Sequence, residues 1–131
     1  VFAPEQGLAE VGIIATGALL HKALVAAKAL EQKGTKIKVM NLATIKPLDV
    51  DAIVALAKET KAIVTVEEHQ IAGGMGSAVS ECLSANYPAL IEFVGVKDLF
   101  GQSGTPNELI EYYGMGVSHI TLAVEKVLKR K

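Results

Sequence analysis

At 131 residues the chain is one domain long and has room for a single hydrophobic core, which excludes a multidomain enzyme carried on this stretch alone. Half of the residues are apolar and the mean hydropathy is +0.36, so the chain buries enough surface to fold and is not a disordered tail. Thirteen basic against fourteen acidic residues give a formal charge of −1, without the positive field that binding to a nucleic-acid backbone requires.

In chain order, the first residues, Val1-Phe2-Ala3-Pro4, carry no signal segment and no initiator Met, so a fragment of a longer polypeptide is expected. Val11-Gly12-Ile13-Ile14-Ala15-Thr16-Gly17 reads as a β-branched strand. A helix rich in Ala, Leu and Lys follows and stops at Lys33-Gly34. The window 11–30 is the most apolar, but His21, Lys22 and Lys28 interrupt it, so no membrane span is expected. Residues 36–45 alternate Ile37, Val39 and Leu42 with polar neighbours and read as a second strand. Lys46-Pro47-Leu48-Asp49 then punctuates, and a helix over 50–59 follows with Asp49 or Asp51 as its N-cap.

Lys61-Ala62-Ile63-Val64-Thr65-Val66 is nearly all apolar, the pattern of a central strand covered by helices on both faces. After Glu67-Glu68-His69-Gln70-Ile71-Ala72 comes Gly73-Gly74-Met75-Gly76, and Met75, Val79, Cys82 and Leu83 then recur at helical spacing until Pro88. Residues 90–96 form the fourth strand candidate, and 97–104 a loop with two glycines. Thr105-Pro106-Asn107-Glu108 is a capping box with proline at the first helical position. Gly114 stops that short helix, and Ile120, Ala123, Val124, Val127 and Leu128 mark a last amphipathic helix whose final basic residues suit the negative end of its dipole. Strands alternating with helices predict one sheet between two helix layers.

Several residues offer chemistry. The Gly73 to Gly76 turn opens a helix, where backbone N–H groups hold a phosphate or carboxylate; the alternative is that the glycines only allow close packing and positive φ. Neither the dinucleotide fingerprint nor the P-loop is matched. Glu67, Glu68 and His69 stand at the carboxyl end of the central strand, where open α/β sheets place ligands. A carboxylate beside an imidazole does acid–base work if the two converge, but neighbouring strand residues point to opposite faces, so polar support of a loop or subunit contact stands beside that reading. Ser103 lacks the nucleophile-elbow spacing, because Thr105 takes the place of the second glycine. His21 and His119 have no chelating spacing, and Cys82 falls on an apolar stripe. A single cysteine fits a reducing, cytoplasmic setting.

The string Ile63-Val64-Thr65-Val66-Glu67-Glu68-His69 with Gly73-Gly74-Met75-Gly76-Ser77-Ala78-Val79-Ser80-Glu81 resembles the C-terminal domain of transketolases. A second block, Val94-Gly95-Val96-Lys97-Asp98-Leu99-Phe100-Gly101-Gln102-Ser103-Gly104-Thr105-Pro106, then Glu108-Leu109 and Tyr113-Gly114-Met115, fits in the same order. Ile13-Ile14-Ala15-Thr16-Gly17 and Lys46-Pro47-Leu48-Asp49 also fit, so the likeness spans almost the whole chain, 1–131, as one domain. The Glu-Glu-His and Phe-Gly-Gln-Ser-Gly forms look most like split transketolases, whose two halves are separate polypeptides. They are also similar to 1-deoxyxylulose-5-phosphate synthase and to the β subunits of 2-oxoacid dehydrogenases.

The resemblance implies a three-layer α/β/α sandwich on a mixed, mostly parallel five-stranded sheet with one antiparallel strand. Four strands are evident here; the fifth is left to residues 1–8 or to the stretch between the last two helices. It implies a parent enzyme that moves a two-carbon ketol unit between sugar phosphates, with thiamine diphosphate and Mg2+ held by the N-terminal domains or subunit and a homodimer as the assembled form. This domain then carries no catalytic, cofactor or metal residue; it serves assembly and does not react alone. A ligand or interface site at the sheet's carboxyl end would use Glu68, His69, Gly73 and Gly74. A free-standing anion- or nucleotide-binding regulatory module is the reading from a different class.

Overall fold

The computed structural model describes residues 8–15, 19–41, 49–70, 75–96 and 117–131. Strands and helices alternate along the chain: β1 (Val11–Ala15), α1 (Leu19–Gln32), β2 (Ile37–Asn41), α2 (Val50–Thr60), β3 (Ala62–Gln70), α3 (Met75–Asn86), β4 (Leu90–Val96) and α4 (Val117–Arg130).

The strands lie in the order β2-β1-β3-β4, and all three pairings are parallel. Five strands with one antiparallel were expected, and the described residues hold four, all parallel. The two places left for the fifth fall mostly outside the described residues, and Leu8, which is described, is not in a strand. The short helix expected after Thr105-Pro106 also lies outside them.

Each face of the sheet has its own core, which makes the domain three-layered. On one face α1 and α4 lay Leu19, Ala23, Ala27, Ile120, Val124 and Val127 against Val11, Ile13, Val64 and Val66. On the other, α2 and α3 bring Ile53, Leu56, Val79, Cys82 and Leu83 onto Ile14 and Ile63. The alternation of Ile63 with Val64 between the two clusters explains why β3 reads as a continuous apolar run: both of its faces are covered. At about 25 cal/mol per Å2 of apolar surface, each such fully buried Ile or Val contributes about 1.5–3 kcal/mol.

The caps follow the sequence with one exception. Asp49, not Asp51, caps α2, its Oδ1 accepting the Ala52 N–H at 3.1 Å. Gly34, at φ +94°, closes α1. The exception is Lys61, which the apolar run assigned to the strand. It ends α2 in the left-handed conformation at φ 60°, its N–H donating to the Ala57 carbonyl at 2.7 Å, and β3 begins one residue later. Beside it the buried Thr60 hydroxyl lies 2.9 Å from both the Leu56 and Ala62 carbonyl oxygens, donating to one at a time and accepting from the Ala62 N–H. Helix end and strand start are thereby joined within three residues.

The basic end of α4 does more than face its own dipole. Arg130 Nη1 donates to the Ile91 carbonyl at 3.1 Å and to Glu92, and Lys126 lies 3.5 Å from the same carboxylate. These contacts tie α4 to β4, an outer strand among the described residues. No helix among the described residues is long and apolar enough to cross a membrane.

Candidate functional site

From β1 the chain moves outward to β2, then returns past β1 to β3 and continues outward to β4. The order therefore reverses between β1 and β3, and in open parallel sheets the crevice for ligands or partners opens beyond the carboxyl ends of the strands at that point. The last paired residues there are Ala15 and Val66. The next residue along β3 is Glu67, which places the Glu67-Glu68-His69 run at the switch point.

That run does not keep regular strand geometry. Val66 pairs with Val94 and Gln70 with Val96, so four residues of β3 advance against two of β4, with the register shift falling over Glu67, Glu68 and His69. Irregularities of this kind unpair residues and re-aim side chains. The backbones of Glu68 and His69 belong to β3, and their side chains lie outside the described set, as do Gly73 and Gly74 altogether.

The structure instead brings forward Glu67. Its side chain is 1% exposed, and its Oε2 accepts the Gly76 N–H at 3.2 Å. Gly76 is the second residue of α3, and its N–H is one of those that a helix cannot satisfy internally. The same glycine lets α3 approach the sheet: a Cβ there would lie 2.8 Å from Phe93 Cδ1 and 3.1 Å from Thr65 Oγ1. Thr65 and Phe93 are register partners on β3 and β4. Of the two readings of the glycine turn, close packing on the sheet is the one Gly76 displays. The sequence held a signal for Glu67: it continues the parity of Ile63 and Thr65, the positions facing α2 and α3.

The remaining candidates stand apart. Cys82 is buried in the core between sheet and helices, and burial pushes its thiol pKa up, against a smaller opposite effect of its hydrogen bond with Asn86. His21 is exposed on α1 and His119 half-buried on α4. A groove of about 400 Å3 beside α2 is lined by Val50, Asp51, Val54, Ala55, Lys58 and Asn86, and Glu67, Cys82, His21 and His119 are not among its lining residues. Among the described residues no group of three or more His, Cys, Asp or Glu side chains could hold a metal ion. The carboxyl group at the switch point accepts the Gly76 N–H.

Residues 5–120 match the family model described as the C-terminal domain of transketolase. A 6-deoxy-6-sulfo-D-fructose transketolase subunit of Clostridium sp. (strain MSTE9) is 40% identical over 122 residues, 93% of this chain and 38% of that protein. A 1-deoxy-D-xylulose-5-phosphate synthase of Heliobacterium modesticaldum is 40% identical over 112 residues, 85% of this chain and 17% of that protein. The solved structure described as "Split gene transketolase, inactive beta4 tetramer" superposes with a TM-score of 0.89 at 44% identity, over 96% of this chain and 41% of that one. The chain thus spans well under half the length of the proteins it matches. With the family model covering residues 5–120 and a TM-score of 0.89 to a solved member, the chain belongs to the transketolase C-terminal domain family.

Proposed function

We propose that this chain is the C-terminal section of a split-type transketolase and that its task is assembly. The observation that carries the reading is the match of 96% of this chain, at 44% identity, to a split-gene transketolase. The Clostridium relative, named a subunit, adds to it. In this reading the companion N-terminal section holds thiamine diphosphate and Mg2+, which supply the electron sink for moving a two-carbon ketol unit between sugar phosphates. The present section contributes its switch-point edge, the irregular end of β3 and the start of α3, as the surface that packs on the companion, and the assembled enzyme is a homodimer of such pairs in the cytoplasm.

A second reading rests on the 40% identity to a 1-deoxy-D-xylulose-5-phosphate synthase. Product analysis of the assembled enzyme, ketol transfer against 1-deoxyxylulose 5-phosphate formation, separates the two. Calorimetric titration of thiamine diphosphate with Mg2+ tests the shared core of both. Heat is expected when the companion section is present and none with this chain alone; stoichiometric binding by this chain alone would overturn the assembly role.

A further inference from the structure

Glu67 is a buried ionisable group without an evident part in any reaction. Burying a carboxyl group costs stability unless hydrogen bonds compensate, and an apolar residue would complete the core face that Ile63 begins more cheaply. What Glu67 achieves instead is a tie. It stands at the sheet's switch point inside the register shift of β3, and its Oε2 accepts the Gly76 N–H nine residues on, at the start of α3. Gly76 meets it because α3 lies close enough to Phe93 and Thr65 to leave no room for a Cβ. Both ends of the Glu67 to Gly76 stretch are thus held, the strand end by pairing with β4 and the helix start by the carboxyl group.

We infer that Glu67 is a positioning residue that pre-forms the switch-point edge for the companion section, an inference that rests on the assembly reading above. An edge ordered before encounter spares the ordering cost that association would otherwise carry, so removing the tie weakens docking even where the domain remains folded. The partner is a protein surface, that of the companion section.

The test compares association of this polypeptide with the companion section for wild type, Glu67→Asp, Glu67→Gln and Glu59→Gln, by sedimentation or calorimetry. Glu67→Asp shortens the arm by one methylene and breaks the tie, whereas Glu67→Gln keeps an acceptor oxygen at the same reach. Glu59→Gln is the control: Glu59 accepts the Ala9 N–H at the opposite end of the sheet. The expected result is association weaker by about tenfold or more for Glu67→Asp, the scale of leaving one buried N–H unsatisfied, with recovery to within about threefold in Glu67→Gln and no comparable loss in Glu59→Gln. Amide exchange at Gly76 is expected to quicken in Glu67→Asp by a similar factor. Wild-type docking by Glu67→Asp, an equal loss in Glu59→Gln, or a tenfold loss in Glu67→Gln overturns the inference, the last of these whether or not Glu67→Asp folds. Failure of wild type itself to associate removes the assembly reading, while Gly76 exchange still reports whether the tie exists.

Discussion

Phe93 lies so close to the backbone of Gly76 that a Cβ on the glycine would sit 2.8 Å from its ring. Gly76→Ala therefore pushes α3 off the sheet or forces Phe93 from its rotamer, at a cost of about 1–3 kcal/mol. Chemical denaturation is expected to show this loss, and Phe93→Leu in the Gly76→Ala background is expected to restore part of it. Equal stability of Gly76→Ala and wild type would mean that α3 does not seat on Phe93.

Thr60 joins the end of α2 to the start of β3 through one buried hydroxyl. Thr60→Val keeps the shape and removes the donor, leaving buried backbone groups unsatisfied at a cost of about 1–3 kcal/mol. Next to it, Lys61→Gly relieves a left-handed side-chain conformation and is expected to raise the melting temperature slightly, the relief exceeding the extra entropy of glycine in the unfolded chain. Opposite signs for the two variants are the expected outcome of thermal melts.

Glu59 links the segment before β1 to α2 and β2. The Ala9 N–H, assisted by Lys38 and opposed by burial, holds its carboxyl pKa below the ordinary value of 4.5. A carboxyl group depressed in the folded state contributes stability that is present above its unfolded pKa and is lost as pH falls from there through the folded pKa. Urea titrations from pH 7 downward are expected to show this contribution fading only below about pH 4.5, and Glu59→Gln to be less stable than wild type at neutral pH and to converge with it in acid. A constant difference across that range would exclude the linkage.

Cys82 is buried, and its raised thiol pKa keeps it from forming the reactive thiolate at neutral pH. A thiol reagent is expected to modify it at the rate of global or local opening, and promptly in denaturant. Fast reaction in the native state would contradict its place in the core.

The residues of β1 and of β3 as far as Val66 were legible because a parallel strand buried on both faces has no polar face to confuse the pattern, and α4 because its stripe of Ile120, Val124 and Val127 meets one layer only. Asp49 was legible as one of two caps because its chemistry is local. Lys61 was not, because nothing in a lysine announces a left-handed residue; the requirement comes from the abrupt change of direction between α2 and β3. The position of Glu67 at the end of β3 was legible, and its contact with Gly76 was not. Glu68 and His69 drew attention by their chemistry, whereas Glu67 acts through parity and a partner nine positions away, which a reading of neighbours does not weigh. The register shift that reshapes this run depends on pairing with β4, a tertiary property invisible along one strand.

The central claim, that this section assembles the enzyme and the reaction centre lies in its companion, is tested most directly by reconstitution. Each section is assayed for ketol transfer alone and then in mixture, with thiamine diphosphate and Mg2+ throughout. The account predicts transfer only in the mixture, rising with the amount of this chain until the two sections are equimolar. Full activity of the companion section alone, unchanged when this chain is added, would contradict it.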